Sequence, residues 1–142
     1  MKNGFYPKGD NEALYEADSI MAACNDLFAS YAKFMFGGMQ GEAKEEARLA
    51  FVATLEKFLT ILDKKLSQNK KSKLHVAGGK LSQADFKVLA TLWSFCVYED
   101  SAVQPMGAPV LEKFSTAKNY IMTHFEKTFK EFTSEKRTPG PM

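Results

Sequence analysis

The sequence predicts a single all-α domain, a helical bundle of about five helices around a buried central helix. Three observations predict it. Apolar residues recur three and four apart through most of the chain, which is the period of a helix face. No alternating apolar and polar run of useful length appears. Leu74-His75-Val76-Ala77 is the only candidate strand, and so short a segment cannot make a sheet alone. Finally, Ser82-Gln83-Ala84-Asp85 opens a stretch that is apolar on nearly every side.

The elements follow in order. Residues 1–10 form a turn-rich lead-in, and Asp10 is a good N-cap because its carboxylate can accept from the exposed amides of the next turn. The first helix carries Ala13, Ala17, Ile20, Met21, Cys24, Leu27, Phe28, Tyr31 and Met35, and Gly37-Gly38 ends it. The second begins near Glu42. It has Glu45 and Glu46 early and Lys64 and Lys65 late, as the helix dipole favours, and a stripe of Ala47, Phe51, Leu55, Phe58, Leu59, Leu62 and Leu66. Residues 67–73 read as a solvated, Lys-rich connector. The third helix, from Phe86 to Val97, is apolar all round and is expected to be the buried central one. A fourth is expected from Pro109, at its first helical position, to about Thr123, with Val110, Leu111, Phe114, Ala117 and Ile121 inward. A short fifth carries Phe125, Phe129 and Phe132. The helical domain thus spans residues 11–133, and residues 134–142, with Pro139, Gly140 and Pro141, are expected to be a flexible tail.

Composition narrows the function classes. The chain has 142 residues, 45% of them apolar, so it can build a core without disulfides or metal. Its 19 basic and 17 acidic residues leave a net charge of +2, too balanced for a nucleic-acid-binding face. No apolar run approaches the roughly 20 residues of a membrane span. The start has no apolar signal core, so a cytoplasmic location is expected. Cys24 and Cys96 lie in apolar helical patterns and read as small buried hydrophobes in a reducing compartment. His75 and His124 read as separate structural or solvent-facing histidines, with no partner at ligand spacing, and no metal site is expected.

The most specific segment is Gly78-Gly79-Lys80-Leu81-Ser82-Gln83-Ala84-Asp85-Phe86. Ser82 and Asp85 have the spacing of a capping box, in which each side chain takes the other's backbone amide, and Leu81 and Phe86 can pack across it as a staple. With a Gly-Gly turn before it and an apolar helix after it, this segment resembles the start of the central helix in the C-terminal domain of glutathione transferases. The resemblance extends over nearly the whole chain. Gly4-Phe5-Tyr6-Pro7 is similar to that family's linker, and Tyr15-Glu16-Ala17-Asp18 and Asn25-Asp26-Leu27 are similar to the first helix of its sigma-, pi- and mu-like members.

The resemblance implies roles. Ser82 and Asp85 cap and fold the domain and catalyse nothing. Asp26, eight residues after Asp18, matches an acidic residue that reaches across a homodimer to the α-amino group of glutathione; the alternative is a solvated helix carboxylate. Tyr31, Met35 and Phe36 match the wall of a hydrophobic substrate pocket; the alternative is ordinary core or surface aromatics. Glutathione is the implied co-substrate. The implied partner is a thioredoxin-like N-terminal domain, or a homologous subunit, whose Tyr or Ser hydroxyl lowers the thiol pKa so that the nucleophilic thiolate forms. No βαβ pattern precedes Asp10, so catalysis by this chain alone is not expected. Met1 reads as if it lies inside the run joining the two domains, which suggests an internal start of a longer transferase. A different class remains open: a non-catalytic helical protein–protein interaction module of the same fold.

Overall fold

The computed structural model describes residue 7 and residues 9–128. They form five α-helices: α1 (Asn11–Phe36), α2 (Gly41–Gln68), α3 (Gln83–Leu92), α4 (Gln104–Leu111) and α5 (Ser115–Thr123). No strand occurs among the described residues, and Leu74 to Ala77 lies in a run of turns.

Asp10 caps α1, its carboxylate accepting from the Ala13 amide at 3.1 Å. That bond, helped by Lys71, holds the Asp10 carboxyl below its ordinary range. At the other end Gly38 takes φ +69°, a conformation that suits glycine, and the chain reverses into α2. The two long helices therefore run antiparallel. Phe34 near the end of α1 stacks on Phe51 in the first half of α2, and Glu16 near the start of α1 pairs with Lys65 near the end of α2.

Between and beneath them sits α3, with Ala84, Asp85, Val88, Leu89 and Leu92 buried. It is central, but one flank reaches water: Ala90 and Ser94 are exposed, and Lys87 and Thr91 half-buried. These four small or polar residues at helical spacing interrupt its apolar surface. Beyond Leu92 the helix widens into a π-helical turn, Trp93–Val97, closed by the Tyr98 amide donating to the Trp93 carbonyl at 2.8 Å. Against this turn packs α4. Gly107 stands so close that a Cβ there would lie 2.0 Å from the Phe95 carbonyl oxygen.

The single helix expected from Pro109 to Thr123 is two. Pro109 lies inside α4, not at its start, and Pro105 holds the first turn. Pro109 gives up one helical hydrogen bond, and α4 ends after Leu111. Its successor α5 has no side-chain cap from its own sequence. Asp63 of α2 supplies one instead, accepting from the Ala117 amide at 2.9 Å. Phe125 does not begin a separate helix; it sits in a π-helical turn, His124–Thr128, that prolongs α5, with its ring 4.4 Å from that of Trp93. Phe129, Phe132 and the expected tail lie outside the described residues.

Candidate functional site

The residues singled out for ligand all lie on α1. Its inward face is Ala13, Ala17, Ile20, Cys24 and Leu27, each nearly or fully buried. The opposite sector, about 100° wide, holds Asn11, Tyr15, Asp18, Ala22, Asn25, Asp26, Ala29, Lys33 and Phe36. All nine are exposed. Asp26 thus points its carboxylate outward and holds no ion pair among the described residues.

Tyr31, Met35 and Phe36 share the C-terminal end of the helix but differ in setting. Tyr31 is half-buried at the centre of an aromatic cluster. Its ring lies 4.9 Å from Phe95, 6.0 Å from Phe51 and 5.8 Å from Phe28. Phe36 meets the Tyr31 ring edge-on at 6.0 Å yet is 75% exposed. Met35 is half-buried against the core. Together they make a shelf: Tyr31 and Met35 fixed from behind, Phe36 standing at the lip. Asp26 lies ten positions before Phe36, about 15 Å along the helix axis.

The capping box forms as its spacing predicts, and it does more than cap. Asp85 Oδ2 accepts from the Ser82 amide at 2.9 Å and the Ser82 hydroxyl at 3.2 Å. Asp85 Oδ1 accepts from the Val76 amide at 2.9 Å and the Tyr120 hydroxyl at 2.8 Å. Four donors satisfy a carboxylate with no exposed surface, which is how a buried charge becomes tolerable. Burial, then the Asp85 charge and hydrogen bond, push the Tyr120 phenol well above its ordinary value. Tyr120 is absent from the inward face expected for its helix. Its spacing from Ala117 and Ile121, at i+3 and i−1, is the signal that places it there.

The two histidines are neighbours, not separate residues. Their rings are 5.8 Å apart, and His124 also stands 5.1 Å from Tyr120. Their separation in sequence hides this. The thiols are inert: burial pushes Cys24 up to about 11 and Cys96 up to about 12. A groove of about 710 Å³ opens at the far end of α1, between its first turn and the end of α2. Lysines and carboxylates line it and pair across it, Lys65 with Glu16 and Lys71 with Asp10. It contains none of the residues expected to touch ligand. Among the described residues no grouping of His, Cys, Asp and Glu could hold a metal ion, and no helix is long and apolar enough to cross a membrane.

An all-helical bundle whose central helix opens on a buried Ser–Asp capping box defines the class to which this domain belongs. A family model described as the glutathione S-transferase C-terminal domain matches residues 25–124, and the chain belongs to that family. Comparison with curated proteins and with solved structures found no match.

Proposed function

We propose that this domain is the electrophile-side half of a glutathione transferase, acting in the cytoplasm beside a thioredoxin-like domain that binds most of the peptide and activates its thiol. One observation carries the reading: a single helix, α1, presents an outward carboxylate, Asp26, and the aromatic shelf of Tyr31, Met35 and Phe36. The exposed Asp26 fits the glutathione ammonium as a charge-assisted acceptor. The shelf fits a flat apolar electrophile, because Tyr31 is held by its neighbours while Phe36 stands exposed at the lip to cover a ligand. Bound glutathione would supply the thiolate nucleophile. These residues would orient the two reactants, and orientation lowers the entropic part of the barrier.

In this reading the domain works as a homodimer, with Asp26 serving the neighbouring subunit. The outward sector of α1 supports self-pairing. A two-fold axis between Asn25 and Asp26 would bring Ala22 level with the partner's Ala29 and Asp18 with the partner's Lys33. Small residues at the centre permit close approach, and the flanking charges are opposite in sign.

The test joins a thioredoxin-like transferase domain to Met1 and measures retention on immobilised glutathione, conjugation of an aryl halide and sedimentation. The reading expects a dimer with activity, a weaker glutathione interaction in Asp26→Asn and a monomer in Ala29→Glu. A folded fusion that neither binds glutathione nor dimerises would favour a non-catalytic interaction module. In that second reading the same outward sector of α1 would dock another protein.

A further inference from the structure

A net charge of +2 conceals a segregation of charge along the bundle. Helix α2 opens on exposed Glu42, Glu45 and Glu46 and closes, about 30 Å away, on Lys64 and Lys65. Past its end the connector adds Lys70, Lys71 and Lys73. Lys80 joins them because the chain folds back: a Cβ on Gly79 would lie 3.4 Å from Lys71 Cβ. The lysines thus gather at one end of the molecule, where their fields add and draw anions in.

The groove of about 710 Å³ opens among these lysines. Two of them brace its walls. Lys65 pairs with Glu16 and so ties α2 to α1, and Lys71 pairs with Asp10 and ties the connector to the start of α1. Asn69 stiffens the connector side, its side-chain amide donating to the His75 and Gly78 carbonyls, both at 2.8 Å. The groove is therefore held open by bonds already made, which lowers the cost of ordering it around a ligand. Lys64 and Lys70 also line it. Both are exposed and make no ion pair among the described residues. Ile61 of α2 and exposed Tyr15 of α1 give it an apolar part.

We infer that this groove docks an acidic, extended segment of a partner protein, with carboxylates on Lys64 and Lys70 and an apolar side chain against Ile61 and Tyr15. The lining separates this occupant from other polyanions. A nucleic-acid strand presents an unbroken row of phosphates, and an anionic bilayer presents a flat sheet of them. In the groove Asp10, Glu12 and Glu16 stand among the lysines and would repel such an array. A peptide carries its carboxylates singly and adds amide donors, which exposed Glu12 can accept. Contacts of exposed lysines are individually weak, so charge here serves encounter and choice of partner, and salt weakens it. Tyr15 lies about 30 Å along α1 from Phe36, so the groove is separate from the aromatic shelf.

Fluorescence anisotropy on the whole chain tests this, with a fluorescein-labelled peptide of glutamates flanking a leucine as the probe. The peptide should bind at about 0.05 M salt and lose about tenfold or more in affinity at about 0.5 M. The same peptide with glutamine for each glutamate should not bind. Lys64→Gln, Lys70→Gln should weaken binding by about three- to thirtyfold. Lys44→Gln, Lys57→Gln makes the same change of net charge outside the groove and should alter binding by less than about twofold. All four lysines are exposed, so both double variants should keep the fold, which circular dichroism checks. In NMR spectra of the natural chain the peptide should shift the amides of Glu12, Lys64 and Gln68 and leave that of Phe36 in place. No peptide binding at low salt, equal loss in the two double variants, or shifts that miss the groove would overturn the docking site. Tighter binding of a single-stranded oligothymidylate or of phosphatidylserine vesicles would overturn the acidic peptide as its occupant. Should a variant not fold, the shifts in the natural chain decide alone.

Discussion

The Tyr120 hydroxyl donates to Asp85 Oδ1 at 2.8 Å, a buried bond that ties the last described α-helix to the first turn of the central one. Asp85 has no exposed surface, so each donor it loses is a donor that water cannot replace. Tyr120→Phe keeps the ring and removes only the hydroxyl. It should lower unfolding stability by about 1–3 kcal/mol in urea denaturation. Asp85→Ala should cost more, since it orphans the Val76, Ser82 and Tyr120 donors together. The same pair gives a pH dependence. The folded Tyr120 phenol keeps its proton well above its ordinary value, whereas the unfolded phenol loses it near 10. Stability from this group is therefore full below about pH 10 and is lost as pH rises beyond it. The alkaline loss should be smaller in Tyr120→Phe.

Gly107 marks a close helix contact in the second half of the molecule. Its absent side chain lets α4 rest on the π-helical turn, where a Cβ would lie 2.0 Å from the Phe95 carbonyl oxygen and 3.2 Å from Cys96 Sγ. The first neighbour is backbone and cannot swing away, so α4 itself must shift. Gly107→Ala gains helix propensity but should still destabilise by about 1–3 kcal/mol. A fall in melting temperature of several degrees checks this. An unchanged or raised melting temperature would mean that α4 moves freely.

These contacts separate what is legible in the sequence from what is not. The two long helices, the Asp10 cap and the Ser82–Asp85 box can be read because each rests on residues within a turn or two of one another. The partners that complete the box cannot. Val76 lies across a loop from Asp85, and Tyr120 comes from a different helix. The split between α4 and α5 escapes a local reading for a related reason. Pro109 has the look of a helix start, yet the cap that begins α5 is Asp63, brought from α2 by tertiary packing. His75 and His124 do not read as a pair because no local period links them. For the candidate site, the exposed Asp26 and Phe36 follow from the helix period, whereas the packing that holds Tyr31 needs Phe51 and Phe95 from two other elements.

The cysteines provide a check on the core that is independent of any ligand. Cys24 and Cys96 are buried, and burial pushes their thiols up to about 11 and about 12. At pH 8 both should be protonated and out of reach of reagent. An aromatic disulfide should therefore label neither in the native chain and both in denaturant, with native labelling no faster than unfolding. Rapid native labelling of Cys96 would show that the seam between α4 and the π-helical turn opens on its own.

The shelf on α1 separates a packing role from a binding role. Phe36 is 75% exposed, so Phe36→Ala removes little buried surface and should change stability by no more than about 0.5 kcal/mol. Tyr31 is held among Phe28, Phe51 and Phe95, so Tyr31→Ala should cost about 2–4 kcal/mol, somewhat less than emptying a fully buried aromatic site. If the shelf receives an apolar electrophile, Phe36→Ala should weaken binding of a fluorescent apolar probe several-fold while the unfolding curve stays in place. Tyr31→Phe should preserve both, because its ring, not its hydroxyl, makes the described contacts. Equal probe binding in the natural chain and Phe36→Ala would remove Phe36 from the pocket and leave it a surface aromatic.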